Sequence, residues 1–330
     1  MNCVPTTLSF MQERRVGHSG LRVSRLGLGT MTWGAAVDEI EAEEQLTTFL
    51  DAGGTLIDTA PIYGDGACEP LVGTLLAKTS SREQVVLAGK AGLGYRNGEV
   101  VRDSSRRTLL DQLDSSLRDL GTDHLDLWQI HRWDENTPVE ETLAALEHAV
   151  ATGRTRYVGI SNFYGWQMSI ARTWLAGRPD AVPLVSNQVE YSLLRRDAED
   201  SVIPAAEYLG MGVLAWSPLG RGVLTGKYRG GIPGDSRAAD SGWEQFVAPY
   251  LDEERAGIVE AVARAADGLD VTMSHVALAW LLGRPSVAAV LVGARTSAQL
   301  SESLAAEDVE LPDEIVQALD DVSSPHGWES

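Results

Sequence analysis

Four side chains of different chemistry stand at or just after successive apolar segments in the first half of this sequence. Asp58 ends one segment and Tyr63 follows it, Lys90 ends the next, and His131 ends the one after that. A phenol can protonate a developing alkoxide, and a nearby ammonium, kept charged by a carboxylate, is expected to lower the phenol pKa. An imidazole can donate a hydrogen bond to the same oxygen. The set suits the proton transfer that accompanies hydride delivery to an aldehyde or ketone.

Each of these four residues also has an ordinary explanation. An aspartate at the end of a strand more often caps the next helix, a single lysine is usually a solvated charge, and a single histidine is usually structural. Their coincidence at consecutive segment ends favours a shared site, provided that the fold brings the segment ends together.

The elements that must position these residues are eight short apolar runs, each followed by a segment of helical period. This alternation predicts repeated βα units with parallel strands. No dinucleotide-binding G-x-G-x-x-G and no P-loop accompany them, so a (β/α)8 TIM barrel is favoured over a doubly wound sheet. The runs are 26–29, 55–58, 85–90, 125–131, 155–160, 185–190, 212–216 and 288–293.

Other segments complete the predicted barrel. Residues 13–23 are expected to form an N-terminal hairpin on the barrel floor, with a turn at Ser19-Gly20. The Gly- and Pro-rich residues 220–250 are too long for an ordinary loop and are expected to lie over one mouth, after the seventh strand. Helices are predicted over 103–120, 139–151, 252–266, 272–282 and after Pro312. Residues 1–330 form one predicted domain, whose first 12 residues are a flexible extension.

Composition limits the class of protein. The chain has 330 residues, 44% hydrophobic and 22% charged, with a formal net charge of −20. This balance predicts a soluble globular protein and disfavours nucleic acid and anionic membranes as partners. The two cysteines support neither a disulfide framework nor a zinc site, and no leader or membrane-spanning segment is recognisable. A cytoplasmic location is expected.

The order of several motifs resembles the aldo-keto reductases, especially a bacterial branch similar to potassium-channel β subunits. The matching stretches are LGLGTMTWG (26–34), IDTAPIYG (57–64), GK (89–90), LWQIHRWD (127–134), YVGISNF (157–163), NQVEYSLL (187–194), WSPLGRGVLTGKY (216–228) and GARTSAQLSE (293–302). The resemblance implies that Asp58, Tyr63, Lys90 and His131 are the catalytic tetrad, with Tyr63 as general acid. It also implies bound NADPH.

Cofactor contacts follow from the same resemblance. The carboxamide is expected near Ser161, Asn162 and Gln188, and the nicotinamide ring stacked on Trp216. The remaining implied contacts are Gly29, Thr30, Met31 and Asp58 at the first strands, Ser217, Pro218, Leu219, Gly222, Leu224 and Lys227 over the pyrophosphate, and Gly293, Gln299 and Glu302 near the adenine. Ser303 and Val292 depart from the family pattern at that end.

Residues 293–297 open a predicted helix after the eighth strand. Free amides and the helix dipole there favour an anion, and Arg295 is expected to pair with a 2′-phosphate, which favours NADPH over NADH. Without the family match, Arg295 is equally well explained as a surface charge and Trp216 as a core aromatic.

Substrate contacts are expected from the residues that line the mouth. Aromatic walls favour an apolar or aromatic carbonyl compound, although tryptophans near a barrel mouth can equally be packing residues. The expected contacts are Trp33, Tyr63, His131, Arg132 and Trp133.

The sequence is compatible with three functions, which it favours to different degrees. The first is an NADPH-dependent reductase of aldehydes or ketones, of the alcohol dehydrogenase type. The second is an NADPH-sensing regulatory subunit with little turnover, which would not need a tyrosine, lysine and histidine set. The third is a metal-dependent hydrolase, which is disfavoured because only His131 of the six histidines ends a strand run, and no metal is expected. Both a monomer and an oligomer are compatible with the sequence.

Overall fold

The computed structural model describes residues 11–79, 81–178, 181–234, 236–239 and 244–324. Residues 1–10, most of the predicted N-terminal extension, lie outside them. The strands are β1 (Glu13–Arg15), β2 (Arg22–Ser24), β3 (Leu26–Gly29), β4 (Leu56–Asp58), β5 (Val86–Ala91), β6 (Leu93–Arg96), β7 (Glu99–Arg102), β8 (Leu125–Ile130), β9 (Thr155–Ser161), β10 (Leu184–Glu190), β11 (Gly212–Trp216) and β12 (Val287–Val292).

Eight of these strands close into a parallel barrel in the order β10, β11, β12, β3, β4, β5, β8 and β9. They are the eight predicted apolar runs, each correct to within one residue at either end. Their side chains are almost all buried, as expected for parallel strands covered by helices on the outside. The predicted (β/α)8 TIM barrel is therefore confirmed.

Helices follow the barrel strands. They are α1 (Glu39–Asp51), α2 (Cys68–Thr79), α3 (Arg106–Asp119), α4 (Val139–Ala151), α5 (Gly165–Ala176), α6 (Ala198–Leu209), α7 (Glu244–Val247), α8 (Glu253–Leu269), α9 (Met273–Leu282), α10 (Ser297–Leu304) and α11 (Asp313–Val322). Short 3₁₀ turns cover Tyr63–Gly66, Arg82–Gln84, Gly220–Thr225, Arg237–Ala239, Ala248–Tyr250 and Ala305–Asp308. Many helices begin where a polar side chain accepts a hydrogen bond from a first-turn amide, as Asp38, Ser105, Asp252, Thr272 and Thr296 do.

The N-terminal hairpin of β1 and β2 closes the barrel floor, as predicted. Val16, Leu21 and Val23 of the hairpin pack on the side chains that fill the barrel interior. Gly17 passes so close to the start of β11 that a Cβ there would lie 2.4 Å from the carbonyl oxygen of Gly210. With φ at +56°, this position suits glycine for two reasons.

A second hairpin, β6 with β7, follows β5 at the carboxyl end of the barrel and was not predicted. The two strands pair antiparallel around Asn97-Gly98, and both turn residues have positive φ. Asn-Gly between alternating residues is a strong signal for a two-residue hairpin turn, so the sequence did contain the information.

The long loop after β11 lies at the carboxyl end of the barrel, as expected for a segment over one mouth. Arg221 and Tyr250 of this loop both bond the carboxylate of Glu190, the last residue of β10. Among the described residues, no helix is long and apolar enough to span a bilayer.

Candidate active site

The four candidate residues meet at the carboxyl end of the barrel. Asp58 ends β4, Lys90 lies one residue before the end of β5, and His131 directly follows β8. Tyr63 begins a 3₁₀ turn in which Gly64 has positive φ and lies so close to Trp33 that a Cβ would be 2.5 Å from its carbonyl oxygen. This close approach fixes the backbone that carries Tyr63.

Lys90 is the centre of the arrangement. Its ammonium, which is buried, lies 2.5 Å from Asp58 Oδ2, 3.1 Å from Tyr63 Oη and 3.3 Å from the carbonyl oxygen of Thr59. An ammonium has three donors and no acceptor, so Tyr63 Oη must accept in this contact. The phenolic hydrogen of Tyr63 is therefore left for another acceptor.

The pKa of Tyr63 differs from the sequence-based expectation. Burial raises it to about 12, and this effect outweighs the lowering by the Lys90 ammonium. The expectation of a net lowering is therefore wrong, although the direction of the lysine effect is as expected. The physical reason is that removing water from around a phenolate destabilises it by more free energy than one neighbouring cation restores. Tyr63 stays protonated at neutral pH.

Lys90 stays charged despite its burial. Burial by itself lowers the pKa of this lysine, but the Asp58 carboxylate and Tyr63 together raise it above its ordinary value. The remaining oxygen of Asp58, Oδ1, accepts a hydrogen bond of 2.7 Å from Gln188 Nε2. Both oxygens of this carboxylate are thus satisfied.

His131 is neutral in this environment. Burial, the ammonium of Lys90 and the guanidinium of Arg132 all lower its pKa well below the usual range. Its ring meets the ring of Tyr63 edge to face, with centroids 5.9 Å apart. Among the described residues, no group bonds its buried Nδ1. A neutral imidazole beside the phenol can donate a single hydrogen bond to a ligand.

The side chains expected near the carboxamide form one hydrogen-bonded chain. Trp216 Nε1 donates to Asn162 Oδ1 over 3.1 Å, Asn162 Nδ2 donates to Ser161 Oγ over 2.9 Å, and Ser161 Oγ donates to the Gln188 carbonyl over 2.9 Å. Asn162 and Ser217 both have positive φ, which is strained for residues with side chains. The structure therefore gathers Ser161, Asn162, Gln188 and Trp216 at one end of the barrel.

The residues of the segment expected over the pyrophosphate differ in exposure, since some are buried and others reach the surface. Gly222 lies beside the Lys227 side chain, since a Cβ there would be 3.0 Å from Lys227 Nζ. Pro218 and Leu224 are buried, and Leu224 belongs to the hydrophobic core. The Leu224 side chain therefore packs inward, and a cofactor contact of this residue, which its backbone could make, stays a prediction. Ser217 and Leu219 are partly exposed.

The start of α10 differs from its prediction in one respect. The amide of Ser297 donates to the Glu41 carboxylate of α1. The amide of Arg295 donates to Gln299 Oε1, and the amide of Gln299 donates to Thr296 Oγ1. These three amides are therefore not free for an anion, because side chains from two helices bond them. The Arg295 side chain, whose residue is partly exposed, is the cationic group at this end.

Other expected adenine-end residues stay near the surface. Gly293, Gln299 and Glu302 are exposed, and Ser303 is buried. At the first strands, Gly29 and Met31 are partly exposed, whereas Thr30 is buried and donates through both its amide and its hydroxyl to the Asp58 carbonyl.

The residues expected to contact substrate differ in burial: Trp33 is buried, whereas Trp133 and Arg132 reach the surface. Trp33 is 1% exposed and its indole donates to Gln45 of α1, so the expectation that it lines the mouth is wrong. Trp133 is half-buried and packs against Phe163 and Trp166 with ring centroids 5.2 and 5.5 Å apart. Arg132 is exposed.

Sequence reasoning missed two groups near the site. Arg221 binds Glu190 through two nitrogens, each 2.9 Å from a carboxylate oxygen, and its guanidinium lies 3.7 Å from the Phe246 ring centroid. Glu69 of α2 is buried, with its pKa raised to about 7 by burial. Neither residue ends a barrel strand on the inside, so no positional signal distinguished them. No group of three or more metal-ligating side chains occurs among the described residues.

Comparison with known proteins identifies relatives over nearly the full length. The model of the aldo/keto reductase family matches residues 25–324. The uncharacterized oxidoreductase YrpG of Bacillus subtilis (strain 168) is 36% identical over 329 residues, which are 97% of this chain and 98% of the relative.

Proposed function

This chain belongs to the aldo/keto reductase family and is an oxidoreductase, and from that premise we propose that it reduces aldehydes or ketones with NADPH, Tyr63 being the proton donor. The observation that carries this proposal is the contact between Lys90 Nζ and Tyr63 Oη. Because the lysine can only donate, the phenolic hydrogen is available to a carbonyl oxygen. The reaction is reversible.

The side chains around Tyr63 have separate tasks in this proposal. Lys90 holds the phenol oxygen and stabilises the phenolate left after proton transfer. Asp58 keeps the lysine charged and in place, because it binds the ammonium at 2.5 Å. His131, neutral at physiological pH, donates a hydrogen bond to the same carbonyl oxygen and orients the substrate. Asp58 and Lys90 are thus positioning residues for Tyr63.

The residues present fit a dinucleotide phosphate. Cationic groups are provided by Lys227 on the loop after β11 and by Arg295 near α10, and Gly222 leaves the space that the Lys227 ammonium approaches. Trp216 offers an aromatic face beside Asn162. When bound, NADPH supplies the hydride that reaches the carbonyl carbon. Arg295 would bind the 2′-phosphate, and Trp216 would support the nicotinamide ring.

A purely regulatory NADPH sensor is the weaker proposal. Cofactor binding alone does not require a buried ammonium bonded to a tyrosine oxygen and a carboxylate. Burying such a group is costly unless the ion pair serves a purpose.

The test replaces Tyr63 with Phe, which removes one hydroxyl. We expect kcat/KM for a panel of aldehydes, ketones and quinones to fall by about 10²-fold or more, because the proton donor is lost. The affinity for NADPH, measured by fluorescence titration, is expected to stay close to that of the parent. Tyr208→Phe, at a residue that is 91% exposed, serves as the control.

Two results would contradict the proposal. Activity of Tyr63→Phe close to that of the parent would remove Tyr63 as the proton donor. Oxidation of NADPH by no carbonyl compound in the panel would favour the sensor instead.

A further inference from the structure

Two arginines, Arg102 and Arg132, lie on the segments that follow the carboxyl ends of β5 and β8. Arg132 directly follows His131, and Arg102 is the last residue of β7, in the hairpin that follows Lys90. Both side chains are exposed. The amide of Ser104 donates to Asp134 Oδ2 over 3.0 Å, which joins the segments that carry the two arginines, each two residues from that bond.

The bond between Ser104 and Asp134 brings the segments that carry the two arginines side by side. The pKa of Arg132 is lowered, first by partial burial and then by the positive charge of Arg102. Two like charges held together without a compensating anion are unfavourable. Such an arrangement gains stability when an anion binds between them.

No carboxylate of the described residues forms a salt bridge with either arginine. Thirteen arginines in the described part of the chain form salt bridges, but Arg102 and Arg132 are not among them. Glu190 is near enough to affect Arg132, yet its oxygens already accept from Arg221 and Tyr250.

This local positive charge contrasts with the whole molecule, whose formal net charge is −20. A protein of that charge repels anionic ligands at long range. Two guanidiniums that form no salt bridge among the described residues, one of them on the residue after His131, can therefore attract an anion locally despite the net negative charge. Their neighbours are aromatic, since Trp133 follows Arg132 and packs against Trp166.

We propose that the preferred carbonyl substrates carry a carboxylate, which Arg102 and Arg132 bind while Trp133 contacts the apolar part of the molecule. This inference rests on the proposed reductase function and names its substrate class. Guanidinium groups suit a carboxylate because they present paired donors to its two oxygens. The carbonyl group of the same substrate then lies toward His131 and Tyr63.

The test compares 4-formylbenzoate with its methyl ester, which has the same reacting aldehyde and no charge. With NADPH at low ionic strength, we expect kcat/KM for the acid to exceed that for the ester by about tenfold or more, as one charge-assisted bond allows. Arg132→Gln and Arg102→Gln are each expected to lower this ratio severalfold. Arg107→Gln, whose side chain is 91% exposed on α3, is the control.

A binding measurement separates this proposal from the proposed function. Isothermal titration of the protein saturated with NADP⁺ uses 4-methylbenzoate and its methyl ester, which carry no hydroxyl group and so cannot be oxidised by the cofactor. Tighter binding of the acid in the parent, lost in Arg132→Gln, supports the carboxylate site even if neither aldehyde is reduced. Equal affinities for acid and ester overturn it, and so do equal kcat/KM values, although turnover of the ester would leave the reductase function standing.

Discussion

Gln188 donates a hydrogen bond of 2.7 Å from Nε2 to Asp58 Oδ1, and the two residues lie on opposite strands of the barrel. In the closed order of strands, β10 and β4 are separated by three strands on either side. The bond therefore spans the barrel interior and fixes the carboxylate that holds Lys90. Gln188, which the family resemblance implies as a cofactor contact, also positions the candidate proton donor through Asp58.

This relationship predicts a specific loss of stability. Gln188→Met leaves Asp58 Oδ1 buried without its donor, which costs about 1–3 kcal/mol of unfolding free energy. Gln129→Met is the matched control, because Gln129 is also a buried glutamine on a barrel strand, but its amide has no partner among the described residues. Urea unfolding of both variants at pH 7 gives the comparison, and an equal or larger loss for Gln129→Met would contradict the prediction.

Lys90 and Asp58 are expected to be energetically coupled. Lys90→Met or Asp58→Asn alone leaves one uncompensated buried charge, and each is expected to cost about 3–5 kcal/mol. The double variant removes both charges, so its loss should be clearly smaller than the sum of the two single losses. A double-mutant cycle measured by urea unfolding tests this. Additive losses would show that the two groups do not stabilise each other.

The raised pKa of Glu69 is expected to make the free energy of unfolding depend on pH. Burial raises its pKa from 4.5 to about 7, and Ser116, Asp119 and Lys90 modify this shift. Between these values the unfolded chain has already released the proton that the folded chain keeps. Stability therefore falls as pH rises from about 4.5 to about 7, by about 3 kcal/mol in total from this group.

Glu69→Gln should remove this contribution. We expect the variant to lose less stability than the parent between pH 5 and pH 8, as measured by urea unfolding at four pH values. Glu135→Gln, at an exposed position, should follow the parent. Parallel curves for the parent and Glu69→Gln would show that Glu69 does not keep its proton in the folded state.

Arg295 is expected to determine the preference for NADPH over NADH. If its guanidinium pairs with a 2′-phosphate, Arg295→Ala should reduce the ratio of NADPH affinity to NADH affinity by about tenfold or more. Fluorescence titrations with both cofactors measure this ratio, with the exposed Arg118→Ala as control. An unchanged ratio in Arg295→Ala would assign the phosphate to another residue.

The sequence alone predicted the barrel and the position of the site within it. Eight apolar runs with intervening helical segments specify parallel strands, and the carboxyl ends of such strands meet at one mouth. Asp58, Lys90 and His131 could therefore be grouped from their places at or next to the strand ends, without any knowledge of distances. The same reasoning found the floor hairpin.

Other features depended on tertiary contacts. Trp33 follows a strand end, as Arg132 does, but the structure buries it against Gln45. The first amides of α10 were expected to have no partner within the protein. Glu41, more than 250 residues earlier in the chain, nevertheless accepts a hydrogen bond from the amide of Ser297. Such pairings leave no local pattern because they join residues that only folding brings together.

The sequence determined which chemical groups stand at the barrel mouth, since strand ends and side-chain types are local properties. The tertiary structure decided how those groups behave. The pKa of Tyr63 rises although a lysine lies beside it, because the degree of burial outweighs one charge. The bond from Gln188 to Asp58 joins residues 130 positions apart. The burial of a side chain and the distance between two residues far apart in the sequence both depend on the whole fold. A local sequence pattern therefore does not reveal them.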